Sequence, residues 1–597
     1  MGRTAIALWL TLTVLACSLT PGIGTPAGRA GGSLELDSGA VDSSAGGNVV
    51  DVIDLRGKSL EVRLLVLSLQ GIVNRRGPTL YVIWESKRLR PTSSERWLEY
   101  YREKGWIQGY RRISLSEAME KYRDLVGGLV VYDPEVPETI NVAVSLASVE
   151  GLIVAHPALA QSSILSGLEV KYDLRGMFED GESAHRWLLD NVFPRCNRSL
   201  INLFPTQPSV AIYRVSVIDY VIANGACSIG LSVEKDAELI GEFYERMNKF
   251  AVVLGYPEDP ALERPWVSLT SRYGLLNVLA TGFAPNFSFH SKIPAKREYL
   301  QDHASSVELD PEKIYVAFAV SDLGLNSMQD FYYEMWLSEG RGELPISWWL
   351  DPIVTDFCPG IVQYYYETRT RNDYFYSAHA GGRIRPSDFP YLEEYLERGR
   401  GYLERCSLRV VGFSNHGKKD DRVFQLYSQV LDVEGFAFGF GPEFSEEYWF
   451  VGDKVWIVPR FMGDPESAYG AIERYIDSTS RRPLFIIIGI GLWYYPKVSD
   501  VLEIAEKLRQ RYGDQVVFCR LDELMLAAKQ YGKPPSRSEE REGKWHLLAI
   551  TALLGAAAAA VAIIYLRFRG TEEPGDRYNS RNSLLRLISS SNLSNLP

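Results

Sequence analysis

Between residues 314 and 521 eight short apolar runs follow one another, separated by helical or irregular stretches: IYVAFAV (314–320), ISWWL (346–350), YFYSA (374–378), RVVGFS (409–414), GFAFGF (435–440), VWIVPRF (455–461), LFIIIGI (484–490) and VVFCRL (516–521). The first run has five apolar residues in a row, Val316 to Val320, with no alternation, as in a parallel strand buried on both faces. Eight strand-crossover units predict a (β/α)8, TIM-barrel-like domain over 306–532. In such a barrel the chemistry gathers where the strands end.

The residues just past each run are therefore the candidates for function: Ser321 and Asp322, Asp351, His379, Asn415 and His416, Arg460, Trp493 and Tyr494, and Asp522. Polar groups beside exposed aromatic faces suit a hydroxylated, ring-bearing ligand, so the expected partner is a carbohydrate. With a net charge of −11, the chain is a poor match for nucleic acid. Seven histidines and the absence of any CxxC or HExxH pattern give no case for a metal site, and no cofactor is expected.

Upstream, TLYVIW (79–84), SERWLEYYREKGW (94–106), GLVVYDP (128–134), INVAVSLASVE (140–150) and GLIVAH (151–156) alternate strand and helix patterns. The rhythm continues through DAELIGEFYERMNKF (236–250) and AVVLGY (251–256), which predicts parallel α/β layers over 49–305. Of six cysteines one, Cys17, lies near the start; Cys196 and Cys227 are the candidates for pairing, while Cys358, Cys406 and Cys519 sit in apolar surroundings.

Both ends carry membrane signals. Residues 5–19, AIALWLTLTVLACSL, follow Arg3 as in a secretory leader covering 1–30, and 31–48 is a Gly/Ser-rich linker. Residues 547–566, LLAITALLGAAAAAVAIIYL, hold 20 residues without a charge, about what a hydrocarbon core requires. With Trp545 at its edge the expected spanning helix is 545–566, after a charged stalk at 533–544 and before a short internal tail at 567–597. The expectation is a single-pass protein of the cell membrane with its folded part outside.

The motifs SLQGIVNRRGPTLYVI (68–83), GLVVYDP (128–134), DLRGMFED (173–180), NFSFHS (286–291) and RGELPISWWLDPIVTDFCPGIVQYYYETRTRNDYF (341–375) resemble the GxGYP family, whose assignment to glycoside hydrolysis rests on fold. The resemblance implies an N-terminal α/β region, a C-terminal barrel and action on carbohydrates. Two departures stand out. Where the family shows an acidic Ser-Asp-Gly-Asp-Asn turn, this chain has Ser321, Asp322, Leu323, Gly324, Leu325 and Asn326, one carboxylate fewer. At the name-giving motif it reads HAGGRIRP (379–386), keeping Gly382 and Pro386 but with Ala380 and Arg383 in place of a glycine and the tyrosine. The literal GIGLWYYP (489–496) falls one strand later and is expected to end the seventh strand.

Glycoside hydrolysis uses two carboxyl groups, one protonated and one ionised. Asp322 and Asp373 are the expected catalytic pair, with Asn326, Trp348, Trp349, Asn372, His379, Arg383, Asn415 and Trp493 as substrate contacts. Asp351 is a third carboxyl candidate, although an aspartate before Pro352 also suits a helix cap. The alternative to a membrane-anchored hydrolase is a cell-surface carbohydrate-binding or adhesion protein on the same barrel, lacking the carboxylate replaced by Leu325.

Overall fold

The computed structural model describes residues 48–84, 93–204, 217–280, 284–321, 324–416, 418–438, 448–494 and 496–532. The expected leader, nearly all of the linker, the stalk, the spanning segment and the tail lie outside these residues, as does Asp322. Among the described residues no helix is long and apolar enough to cross a membrane. Residues up to Leu526 form one compact unit, and a second begins at Ala527 within the helix Leu521–Tyr531.

Ten short strands build the N-terminal region: β1 (Val49–Asp54), β2 (Leu80–Ile83), β3 (Gly109–Arg112), β4 (Gly128–Val131), β5 (Leu152–Ala155), β6 (Val170–Asp173), β7 (Asn197–Leu203), β8 (Ala226–Ile229), β9 (Val252–Gly255) and β10 (Leu276–Leu279). They form three separate parallel sheets, in the orders β2-β1-β3, β5-β4-β6 and β10-β9-β7-β8. Alternating strands and helices force parallel pairing, since each strand must return to the same edge through a crossover.

Helix Leu60–Val73 is the post between these sheets, buried from Arg63 to Val73. Its Ser68 hydroxyl accepts the N–H of Val154 on β5, and Asn74 accepts from Leu80 N while donating to Leu80 O. Asn286 then completes the other end of β2, its side chain accepting from Val82 N at 2.8 Å and donating to Val82 O at 2.9 Å, as a neighbouring strand would. The residues of NFSFHS and SLQGIVN that carry the family resemblance are thus ties within the core. Asn286 is fully buried, so its N-x-S sequon offers no glycosylation surface. Gly71 lets a second helix, Ile218–Ala223, approach closely; a Cβ there would stand 2.6 Å from the carbonyl of Asp219.

All eight runs read from the C-terminal half form strands: β11 (Ile314–Ser321), β12 (Ile346–Leu350), β13 (Asp373–Ser377), β14 (Val410–Phe413), β15 (Gly435–Phe438), then β17 (Lys454–Ile457) and β18 (Phe461–Gly463) from the sixth run, β19 (Leu484–Gly491) and β20 (Val516–Phe518). A further strand, β16 (Tyr448–Val451), pairs antiparallel with β17. The hydrogen-bonded path is β16-β17-β15-β14-β13-β12-β11-β19-β18. Its second strand, β17, and its last, β18, are separated only by Val458, Pro459 and Arg460, a span of roughly 10–14 Å, so the sheet curls back on itself.

The strand order departs from the expected (β/α)8 ring in two places. The seventh run, β19, lies directly against β11 along all eight of its residues. The eighth, β20, pairs with Ile314–Val316 on the opposite edge of β11, the edge that β12 occupies further along. The sixth run breaks because Pro459 has no N–H to continue the ladder, and the chain passes from β15 to β19 there. The architecture is a mixed α/β fold of parallel sheets, the largest curled like part of a barrel.

Cys196, Cys227, Cys358, Cys406 and Cys519 are all buried free thiols, so the pairing considered for Cys196 and Cys227 is not formed.

Candidate active site

The carboxyl ends of β12, β13 and β14, the turn after β11, strand β10 and the start of helix Glu263–Arg272 enclose a cavity of about 230 Å³. These six elements meet there because the third N-terminal sheet abuts the loops of the large sheet. Asn277 on β10 and Arg383 form a two-way backbone bridge, with N···O distances of 2.9 and 2.8 Å.

Asp351 leaves β12 at the cavity wall. It caps the turn Pro352–Asp356 by accepting from Ile353 N at 3.3 Å, as its position before proline suggests. The same carboxyl accepts the N–H of Gly382. Burial nonetheless dominates and pushes Asp351 up to about 7, against the lowering effect of these two N–H donors. It is a carboxylic acid near neutrality.

Glu263 is the second carboxyl of the lining, ion-paired with the Arg383 guanidinium. Arg264, beside it, also lines the cavity. His379 and His416 complete this side, and both are held neutral, pushed down to about 3 by burial and by the nearby Arg383 guanidinium. The Trp349 ring meets His379 edge-on at 6.0 Å, presenting an aromatic wall. Among the described residues, three polar atoms of lining residues find no hydrogen-bond partner: Asn277 Nδ2, Ser414 Oγ and His416 Nε2. His416 also holds a left-handed backbone, φ +52°, a strained state for a non-glycine residue that clusters at functional sites.

Of the expected site residues, Trp349, His379 and Arg383 reach this cavity. Asn415 lies beside it but is occupied between two loops, donating to Ser387 Oγ and to the Lys418 carbonyl. Asp322 lies outside the described residues, as do the side chains of Asn326 and Trp493.

Three of the expected site residues stand away from this cavity. Asp373 is the first residue of β13, so it stands at the amino end of the parallel sheet, away from the cavity at the carboxyl ends. There its carboxylate is consumed by the Arg341 guanidinium, Trp348 Nε1 at 2.8 Å and Thr370 N at 2.7 Å. Asn372, next to it, donates to the carbonyl of Gly342. Trp348 is wholly buried on the outer face of β12, packed on Trp336 at 4.9 Å, because neighbouring strand residues point to opposite faces.

Glu263, Arg264 and Asn277 were not legible as site residues. They belong to the N-terminal region, where ERPW reads only as a helix start.

Family models match the chain in four successive pieces. Those of the GxGYxYP first, second and third N-terminal domains match residues 49–124, 126–196 and 203–292, and the "GxGYxYP putative glycoside hydrolase C-terminal domain" matches 312–529. No curated protein matches the sequence. Among solved structures, the chain is similar to "a putative hydrolase from Bacteroides thetaiotaomicron VPI-5482", with a TM-score of 0.70 and 18% identity over 81% of this chain and 95% of that one. At that identity the likeness is one of fold.

Proposed function

The chain belongs to the GxGYxYP family, and we propose that the cavity at the carboxyl ends of β12 to β14 is the cleft of a glycoside hydrolase. The observation that carries this reading is Asp351, a half-buried residue whose desolvated carboxyl is raised to about 7 and which shares a cavity lining with an ion-paired carboxylate, Glu263. A carboxyl raised toward neutrality in the same cavity as a carboxylate held in an ion pair is the combination that glycosidic cleavage uses. Asp351 gives its proton to the leaving oxygen as the C–O bond breaks. The ionised partner stabilises the developing positive charge at the anomeric carbon and activates the attacking water or attacks itself. Trp349 supplies a face for a sugar ring.

Asp322, separated from the cavity-lining Gly324 by one residue in sequence, stays a proposed alternative for the ionised role. A glycan hydrolysis screen on the wild type, Asp351→Asn, Glu263→Gln and Asp322→Asn tests these assignments. General acid loss at Asp351 is expected to lower turnover about 10²- to 10⁴-fold. Full turnover in Asp351→Asn would refute its role.

One observation favours the non-catalytic alternative. Leu325, at the position of the family's second acidic residue, is buried in the cavity lining, where an apolar side chain can pack but cannot exchange a proton. Binding of a glycan by the wild type with no turnover on any member of the screen would decide for a binding protein.

The membrane-anchored, extracellular placement is likewise proposed, on the pattern of residues 1–30 and 545–566 alone.

A further inference from the structure

Among the described residues, one corner of the cavity carries more guanidinium than carboxylate. Arg383 is matched by Glu263, and Arg385, close behind, is matched by Asp388 at 3.0 Å and by Ser268 Oγ at 3.0 Å. Arg264, an exposed residue at the cavity mouth, lines the same corner and makes no hydrogen bond or ion pair among the described residues. Asp351 adds no full negative charge below about pH 7, and His379 and His416 add no positive one. The guanidinia of Arg383, Arg385 and Arg264 are the charges that, after burial, keep His416 from taking a proton, so the field at this corner is positive. A neutral sugar leaves that field unanswered.

The unpaired atoms point the same way. Asn277 Nδ2 is a donor by nature, and Ser414 Oγ and His416 Nε2 can each donate. Asn277 is 1% exposed and Ser414 7%, so neither is satisfied by bulk solvent. Buried polar groups without partners cost stability and persist where a ligand completes them. Donors in the lining of a cavity that also holds Arg264 can meet the oxygens of an anion in charge-assisted hydrogen bonds.

Resting on the carbohydrate reading above, we propose that this corner binds an anionic substituent, a carboxylate or a sulfate, and that the glycan taken by the protein is therefore an acidic one. Arg264 makes the ion pair, while Asn277, Ser414 and His416 orient the oxygens.

The test is an array of uronate-bearing, sulfated, sialylated and neutral glycans probed with soluble protein carrying Asp351→Asn, so that binding is read without turnover. Retention of acidic glycans over neutral ones of the same backbone is expected. Carboxyl-reduced counterparts of any bound uronate should lose affinity, and sulfated glycans bound in preference to uronates would assign the anion as sulfate. A bond to a charged group corresponds to about a 10- to 100-fold change, so Arg264→Gln should weaken acidic ligands by that factor and leave neutral ones unchanged. Equal retention of neutral and acidic glycans, or Arg264→Gln without effect on acidic ones, overturns the anion site but leaves the carbohydrate reading standing. Retention of no glycan of any class overturns both.

Discussion

The backbone N–H of Gly382 donates to both carboxyl oxygens of Asp351, at 3.1 and 3.2 Å. This contact joins the loop of the diverged name-giving motif to the carboxyl proposed as the acid. It also opposes the effect of burial, which raises Asp351 to about 7.

The pH dependence of turnover follows. A general acid must be protonated, so activity should hold below about pH 7 and fall as pH rises through that value. The falling limb of kcat/KM should vanish in Asp351→Asn, whose residual rate has no proton to lose at this position. A limb that persists unchanged in the variant would assign it to another group.

Gly382→Ala should damage the site from the backbone. Gly382 holds φ +90°, and a Cβ would lie 3.0 Å from Cβ of Leu276 on β10. The strain, about 1–3 kcal/mol, should lower the melting temperature and turn the N–H away from Asp351. If melting temperature and turnover both match the wild type, the loop does not depend on this conformation.

Asp373 should matter to folding and not to chemistry. Removing its carboxylate in Asp373→Ala leaves the Arg341 guanidinium, 16% exposed, and Trp348 Nε1 without their buried partner. Breaking a buried pair in this way costs about 3–5 kcal/mol, measurable by denaturant unfolding. Turnover per folded molecule should be retained, and its loss in a variant of wild-type stability would restore Asp373 to the catalytic role read from sequence.

The strand ends were legible because an apolar run that stops at Asp351, His379 or Asn415 and His416 marks both a strand and its polar exit. What a run does not encode is which residues face inward when both faces are apolar. Trp348 and Trp349 look alike in sequence, yet one packs on Trp336 and the other lines the cavity. Asp373 opens its strand rather than following one, which puts it at the other end of the sheet from the cavity. Pairings between distant segments leave no local trace, so neither the place of β20 beside β11 nor the arrival of Glu263 at Arg383, 120 residues away, could be read.

Membrane placement is open to a direct measurement on cells. With residues 545–566 spanning the bilayer, protease added outside should remove the folded part and spare the tail at 567–597. Deleting 545–597 should release the folded part into the medium. A folded part protected from protease in intact cells would overturn the proposal.

Asp219 sets a pH dependence of stability that is independent of the site. It is fully buried beneath Gly71, accepts the N–H of Ser288 at 2.9 Å, and its other oxygen has no partner among the described residues. Burial raises it from 3.8 to about 6, against the lowering effect of the Ser288 contact. Between these values the folded state holds a proton that the unfolded chain has released. Stability from this group is therefore full below about pH 4, falls as pH rises through about 6, and is level above. The loss amounts to about 1–3 kcal/mol. Asp219→Asn, neutral at every pH, should gain on the wild type by that amount between pH 4 and pH 7 when unfolding by urea is compared at the two values. Parallel pH curves for the two proteins would mean that Asp219 ionises in the folded state as readily as in the unfolded one.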